Sequence, residues 1–273
     1  MDEAIATSQT HYSPLRGFAD ILRSEFCKFR SVRSTYWTLA AAVVFNVGLA
    51  ALEAVILPSH LSARDKASLD AVRVSLGGIH LSQIAFGVLG VLVITSEHST
   101  GLIRVSLTAV PQRRLLLAAK TVVFAVTALM VGVLASFGAF FVFQAFLTGS
   151  STGAGLRASI GDPNVLRAVI GGGLYLAVLG LLGLGLGTII RASAGAVTAL
   201  FGLLFVPQLL TELLPQSWQA TIGPYLPMEA GAQIFSAHHE AGNLGAWAGF
   251  GMFCLYAAVA LAAGFFLINR RDA

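Results

Sequence analysis

Residues 36–57 read YWTLAAAVVFNVGLAALEAVIL, and this stretch decides the fold class. A helix needs about 20 apolar residues to cross the roughly 30 Å hydrocarbon layer of a bilayer. Tyr36 and Trp37 at its start are residue types that favour the boundary between membrane and water. We therefore predict that this stretch spans a membrane.

The composition of the whole chain points the same way. Of its residues, 56% are hydrophobic and 11% are charged, whereas soluble domains carry about 25% charged residues. The pattern predicts an all-α polytopic membrane protein. Its six predicted spans are 36–57, 76–95, 115–148, 165–190, 194–214 and 245–268. The third run is longer than a bilayer requires, so we expect it to tilt or to project from the lipid.

Lys and Arg are unevenly divided between the two sides of these spans. Twelve fall on the side of the termini and five on the other. The positive-inside rule therefore places both termini in the cytoplasm. The segment 215–244 carries no Lys or Arg, which is typical of an external connection. No signal peptide is apparent before the first span.

Residues 15–33 are too charged to cross lipid and instead predict an amphipathic helix. At 100° per residue, its apolar side chains fall on one narrow arc, which favours a helix lying at the inner membrane surface. Residues 1–35 would then be a cytoplasmic N-terminal segment, followed by a transmembrane domain over 36–273. A positive topogenic segment with accidental amphipathicity is the alternative. The arc consists of Leu15, Phe18, Leu22, Phe26 and Phe29.

The loop after the second span, 96–113, has an organisation that a simple connection would not need. Ser99 or Thr100 is suited to cap a short helix, and Pro111 is suited to end it. Glu97 and Arg104 are seven residues apart, so they would share one face of a continuous helix. Solvated cytoplasmic charges are the alternative for both. This pattern predicts that the loop contains a short cytoplasmic helix that docks onto a partner protein.

Several segments resemble the permeases of ABC-2-type transporters, particularly those of high-GC Gram-positive bacteria. They are VITSEHSTGLIRVSLTAVPQRRLLLAAK (93–120), SEFCKFRSVRSTYWTL (24–39), the fourth and fifth spans over 161–206, PYLPMEAGAQIF (224–235) and NRRDA (269–273). The likeness runs from about Gly17 to the C-terminus. His98 departs from it, since an aromatic residue such as Tyr is expected there.

The resemblance implies a permease subunit of an ATP-driven exporter in the bacterial plasma membrane. Such subunits pair as homo- or heterodimers, contact membrane lipid and bind two copies of a separate ATPase. ATP and Mg²⁺ would bind to that ATPase, since this chain has no G-x-x-x-x-G-K-[ST] motif. We therefore expect that the chain is not itself an enzyme, binds no cofactor and binds no nucleic acid. Family substrates include drugs, peptides, lipids and glycans. The implied coupling residues are Glu97, His98, Gly101, Leu102, Ile103, Arg104, Leu107 and Pro111.

Polar residues within the spans are candidates for the wall of a translocation path, since such groups in a membrane usually face protein or water. Asn46 and Gln83 lie deep, and an interhelical hydrogen bond explains either equally well. Gln208 and Glu212 lie in the fifth span. Glu53 and Glu212 fall near the external ends of their spans, which favours simple exposure at the membrane boundary over a role in the path for each. The glycines of the fourth span predict close helix packing.

The segment before the last span predicts an external re-entrant hairpin, with Pro227 in the first turn of a short helix. His238, His239 and Glu240 within it are more typical of an exposed loop than of a metal site. The alternative functions for the chain are a secondary transporter and a non-transporting membrane scaffold. Secondary transporters usually show inverted repeats, and the two halves of this sequence show none.

Overall fold

The computed structural model describes residues 14–102, 112–149 and 153–270. Within these ranges the regular structure is helical, in eleven α-helices and three short 3₁₀ turns. The helices are α1 (Pro14–Ser31), α2 (Arg33–His60), α3 (Ala63–Ser68), α4 (Ala71–Ser75), α5 (Ile79–Ser99), α6 (Arg113–Thr148), α7 (Val165–Ile190), α8 (Ser193–Glu212), α9 (Gln216–Ile222), α10 (Pro227–Ala232) and α11 (Ala246–Arg270).

Six of these helices are long and apolar enough to cross a membrane, namely α2, α5, α6, α7, α8 and α11. The prediction of an all-α polytopic membrane protein with six transmembrane helices is confirmed. The second span differs most from its predicted bounds, because α5 begins at Ile79 rather than at 76 and continues to Ser99 rather than to 95. Residues 71–78 instead form α4 and a turn that packs against the bundle.

The two ends of the bundle differ in charge. The basic end carries α1, the start of α6, Arg191 and the end of α11. The loop end carries residues 61–78, 153–164 and 213–245. Exposed aromatic side chains mark both ends, as expected at the two boundaries of a membrane. They are Tyr36 and Trp37 at the basic end, and Trp218, Tyr225 and Trp247 at the loop end.

The centre of the bundle is α7, which packs against α5, α6 and α11. Its glycines let neighbouring backbones come close, as small residues do between membrane helices. A Cβ on Gly90 of α5 would overlap the carbonyl oxygen of Gly180, and a Cβ on Gly183 would lie 2.5 Å from the carbonyl oxygen of Gly87. The prediction that these glycines serve packing agrees with this arrangement.

The outermost span is α8, with only 22% of its apolar window buried, against 72% for α7. Its buried residues are Ala196, Leu200 and Leu204. The remaining apolar side chains of α8 are available to lipid or to another protein.

The segment before the last span turns back onto the bundle. Pro227 begins α10 as predicted, and Ile234 and Phe235 after it are fully buried. Arg167 of α7 holds this segment by donating hydrogen bonds to the carbonyl oxygens of Ile234 (3.0 Å) and Ser236 (2.8 Å). How deep the segment lies in a membrane stays a prediction.

Candidate functional site

Four charged side chains from three helices meet at the basic end of the bundle. Glu25 and Lys28 come from α1, Glu97 from the last turn of α5 and Lys120 from α6. We call them the ion cluster. The Lys120 ammonium lies 2.6 Å from Glu25 Oε2 and 2.5 Å from Glu97 Oε1. The Lys28 ammonium lies 2.9 Å from Glu25 Oε1 and 3.7 Å from Glu97 Oε1.

Local sequence explains how each element presents its charge. Lys120 lies seven residues after the start of α6, so it is within the helix and too far from the end to remain in water. Glu25 lies on the side of α1 that packs on α6. Phe29, one turn later on that side, packs edge-to-face against Phe124 of α6, with ring centroids 6.3 Å apart. The aromatic pair and the ion pair therefore fasten α1 to α6 together.

Burial makes the cluster costly to disturb. The side chains of Lys120, Glu25 and Glu97 are only 3%, 5% and 13% exposed, while Lys28 is 48% exposed. Two carboxylates and two ammonium groups cancel in charge, which buried ions require. Burial lowers the pKa of Lys28, but its hydrogen bond to Glu25 and the charges of Glu97 and Glu25 outweigh this and raise the pKa above its usual value.

Glu97 connects the cluster to the loop that follows α5. Its second carboxylate oxygen, Oε2, is buried and has no hydrogen-bond partner among the residues that the structure describes. His98 Nδ1 lies 3.0 Å from the carbonyl oxygen of Ile94. At Gly101 the backbone turns with φ +71°, which a residue without a Cβ adopts readily, and Leu102 after it is 53% exposed.

The loop differs from its prediction in two ways. The hydroxyl groups of Ser99 and Thr100, the two predicted caps, instead point back to α5 and donate to the Ser96 carbonyl oxygen at 3.0 and 2.8 Å. Glu97 and Arg104 do not share the face of one continuous helix, because α5 ends at Ser99 and Gly101 breaks the helical path. The remaining predicted coupling residues, Ile103, Arg104, Leu107 and Pro111, lie outside the described residues.

The polar residues predicted for a translocation path fall into two groups. Asn46 and Gln83 are 0% and 1% exposed, so both are enclosed by helices instead of facing open space. Gln83 accepts a 2.7 Å hydrogen bond from the Tyr175 hydroxyl of α7. The structure therefore contains the interhelical hydrogen bond that was one of the two interpretations of Gln83, the other being the wall of a translocation path. Gln208 and Glu212 instead line a shallow hollow on α8.

Gln208 and Glu212 differ in their contacts. The Gln208 amide donates to Glu229 of α10 at 3.2 Å. Glu212 is exposed at the end of α8, in agreement with exposure at the membrane boundary. The hollow also includes Phe205, Val206 and Leu209, so carboxylate and apolar surface are combined on the least buried span.

A second polar cluster closes the loop end around Asp70. Its Oδ1 accepts from the backbone N–H groups of Val72 and Arg73, and its Oδ2 accepts from those of Ala237 (2.6 Å) and His238 (2.9 Å). Burial raises the pKa of Asp70, but the hydrogen bonds outweigh it and hold the pKa below its usual value. This cluster ties α4 to the segment after α10.

The two histidines near Asp70, His238 and His239, are exposed at the loop end. His238 is 77% exposed and its Nδ1 lies 3.6 Å from Asp70 Oδ2. Glu240 pairs with Arg73 at 2.7 Å. Among residues 14–102, 112–149 and 153–270, no three His, Cys, Asp or Glu side chains gather closely enough to hold a metal ion.

Sequence reasoning missed Glu25, Lys28 and Lys120. A signal for Lys120 was present, because an ionisable residue seven positions into an apolar helix needs a buried partner. No comparable signal identified Glu25, which lies beside the apolar arc predicted for α1. Phe26 of that arc is 50% exposed and faces away from the bundle, whereas Ile21 and Glu25 face it.

Comparison with known proteins assigns no family to this architecture. Neither a protein-family model nor a curated protein sequence matches the chain.

Proposed function

We propose that this chain is the membrane-spanning subunit of an ATP-driven exporter in a bacterial plasma membrane. It would form the translocation path as a dimer, and a separate ATPase would dock on the loop 96–113. The basic end would face the cytoplasm, where the positive-inside rule places most Lys and Arg.

The observation that carries the proposal is the link from Glu97 to Lys120. Glu97 is four residues before Gly101, where the loop turns, and Lys120 is in the longest span. Because Lys120 also holds Glu25, a displacement of the loop would be transmitted to α1 and α6 at once. A motor protein pushing on the loop needs such a stiff connection to the spans, whereas a plain connecting loop does not.

A secondary transporter is the competing class, and the position of the ion cluster argues against it. Secondary transporters bind their coupling ions near the middle of the membrane, between structural repeats. Here Lys120 is about 10 Å from the start of α6, at 1.5 Å per residue, and its charge is already neutralised by two carboxylates. The cluster is therefore better suited to hold helices together than to bind a transported ion.

The test is purification of the tagged chain from its native membranes in mild detergent. We expect an ATPase with a G-x-x-x-x-G-K-[ST] motif to co-purify, and its ATP hydrolysis to depend on the permease. Arg104→Glu or Leu107→Asp should remove the ATPase while leaving membrane insertion intact, because reversed charge at an interface costs several kcal/mol.

The matched control is Arg64→Glu, since Arg64 is exposed at the loop end. This variant should retain the ATPase in full. The opposite result would be that Arg104→Glu and Leu107→Asp retain the ATPase while Arg64→Glu loses it. That result would show that the ATPase binds at the loop end and not at the basic end. If no ATPase accompanies the wild-type chain, the exporter proposal fails.

A further inference from the structure

Two polar side chains of α2 are buried without hydrogen-bond partners. Asn46 is 0% exposed, and neither its amide nitrogen nor its amide oxygen has a partner within the described part of the chain. Glu53 lies seven residues later, two helical turns along the same face. Its Oε2 is also buried and unpartnered there, although the side chain as a whole keeps some exposure. Unpaired polar groups of this kind are uncommon and require an explanation.

Both side chains point to the turn between α4 and α5. A Cβ on Gly77 would lie 2.8 Å from Glu53 Oε1 and 3.1 Å from the carbonyl oxygen of Val74. A Cβ on Gly78 would lie 2.6 Å from Asn46 Oδ1. Three kinds of acceptor oxygen, from a carboxylate, a side-chain amide and a backbone carbonyl, thus lie close to the two glycines.

In the part of the chain that the structure describes, no cation of the surrounding helices pairs with Glu53. On α4, Arg73 is engaged by Glu240 at 2.7 Å. On α5, the His80 ring packs edge-to-face against Phe235, with centroids 6.1 Å apart. On α6, the sequence from Thr121 to Thr148 contains no ionisable residue.

We propose that Glu53, Asn46 and the Gly77–Gly78 turn form a binding site for one small monovalent cation, carried as a proton on Glu53 or as an alkali-metal ion. Carboxylate and carbonyl oxygens are the donors that hard cations prefer. Ionisable groups at membrane depth commonly mark ion or proton pathways. Glu53 is seven residues before the end of α2 at His60, so the site opens toward the loop end, with Asn46 as its deeper part.

This site is independent of the proposed ATPase, and so is its test. The full-length protein is reconstituted in liposomes and treated with a lipid-soluble carbodiimide, which modifies carboxyl groups in their protonated form. Mass spectrometry then reports the labelling of Glu53 and, for reference, of Glu212, which is exposed at the end of α8. We expect Glu53 to be labelled faster than Glu212.

Two arms distinguish the ions. If the ligand is a proton, the rate of labelling of Glu53 falls about tenfold for each pH unit above the pKa of its carboxyl group. Added Na⁺ then has no effect on this rate. If the ligand is an alkali ion, added Na⁺ or K⁺ at constant pH protects Glu53 while choline does not. Labelling of Glu53 no faster than Glu212, with no protection by any of these ions, would overturn the proposal.

A pair of glycine variants tests the geometry. Gly77→Ala places a methyl group against the Glu53 carboxylate. It should abolish the protection of Glu53 by Na⁺ or K⁺ if the ligand is an alkali ion, and the fast labelling of Glu53 if the ligand is a proton. Gly48→Ala changes a glycine of α2 that has nothing within 4 Å of its Cβ position, and it should behave as the wild type. Glu53→Gln should also lose the change in melting temperature that Na⁺ or pH produces above the range in which Asp70 titrates, whereas the acid-dependent part due to Asp70 remains. An unchanged dependence in Glu53→Gln contradicts the site.

Discussion

The ammonium of Lys120 lies 2.6 Å from the carboxylate of Glu25, although the two residues are 95 positions apart in the chain. Both side chains are almost completely buried. The pair joins the helix that precedes the first span to the third span, and Glu97 joins the base of the following loop to the same ammonium at 2.5 Å. One side chain thereby holds three elements of the basic end.

Replacing Lys120 with Met should destabilise the fold strongly. Among the described residues, the change leaves the two buried carboxylates with only the half-exposed Lys28 as a partner. Breaking a buried ion pair in this way costs about 3–5 kcal/mol. Thermal unfolding in detergent measures the effect. Adding Glu25→Gln and Glu97→Gln to Lys120→Met should restore much of the stability. As a control, Arg23→Met removes an exposed charge of α1 and should leave unfolding nearly unchanged.

Alanine at Gly90 should disrupt the contact between α5 and α7. Its methyl group would overlap the backbone of Gly180, and overpacking of a tight interface costs about 1–3 kcal/mol. The matched change is Gly202→Ala on α8, where nothing lies within 4 Å of the Cβ position. Comparable melting temperatures for the two variants would mean that α5 and α7 are less closely packed than described.

Acid should loosen the loop end through Asp70. Because hydrogen bonds hold its pKa below the usual value of 3.8, the ionised carboxylate stabilises the fold above that value. The stabilisation is lost as pH falls further, through the lowered pKa of the folded state. The measurement is the melting temperature of the wild type and of Asp70→Asn as a function of pH.

At neutral pH, Asp70→Asn should cost about 1–3 kcal/mol, since hydrogen bonds to a charged acceptor are lost. The difference between the two proteins should shrink in strong acid, where the wild-type carboxyl is protonated. A difference that stays constant down to the lowest pH would show that Asp70 does not titrate as described. Glu240→Gln, which affects the exposed pair with Arg73, serves as the control.

The orientation of the bundle can be tested with one native cysteine. Cys27 is exposed on α1 at the basic end, so a membrane-impermeant maleimide added to intact cells should not reach it. Arg64→Cys, made in a chain with Cys27→Ser and Cys254→Ser, should react under the same conditions. Labelling of Cys27 from outside and not of the cysteine at position 64 would reverse the orientation and remove the basis for an ATPase at the basic end.

The sequence by itself determined the six spans. A membrane helix is specified by a continuous apolar run of sufficient length, so the information is local to each segment. The bounds of α6, α7 and α11 therefore fall within about two residues of their predicted positions. The information that specifies the start of the short helix at Pro227 was also local, because proline is suited to the first turn of a helix.

Only the tertiary structure decided which polar residues meet. Glu25 and Lys120 come together because α1 packs along α6, and no spacing within either segment encodes that contact. Gln83 had two acceptable interpretations until Tyr175 was found 2.7 Å away. The seven-residue spacing of Glu97 and Arg104 assumed one unbroken helix, and the turn at Gly101 removed that assumption. The apolar pattern specifies length and burial, whereas the partner of a buried charge depends on how the helices pack.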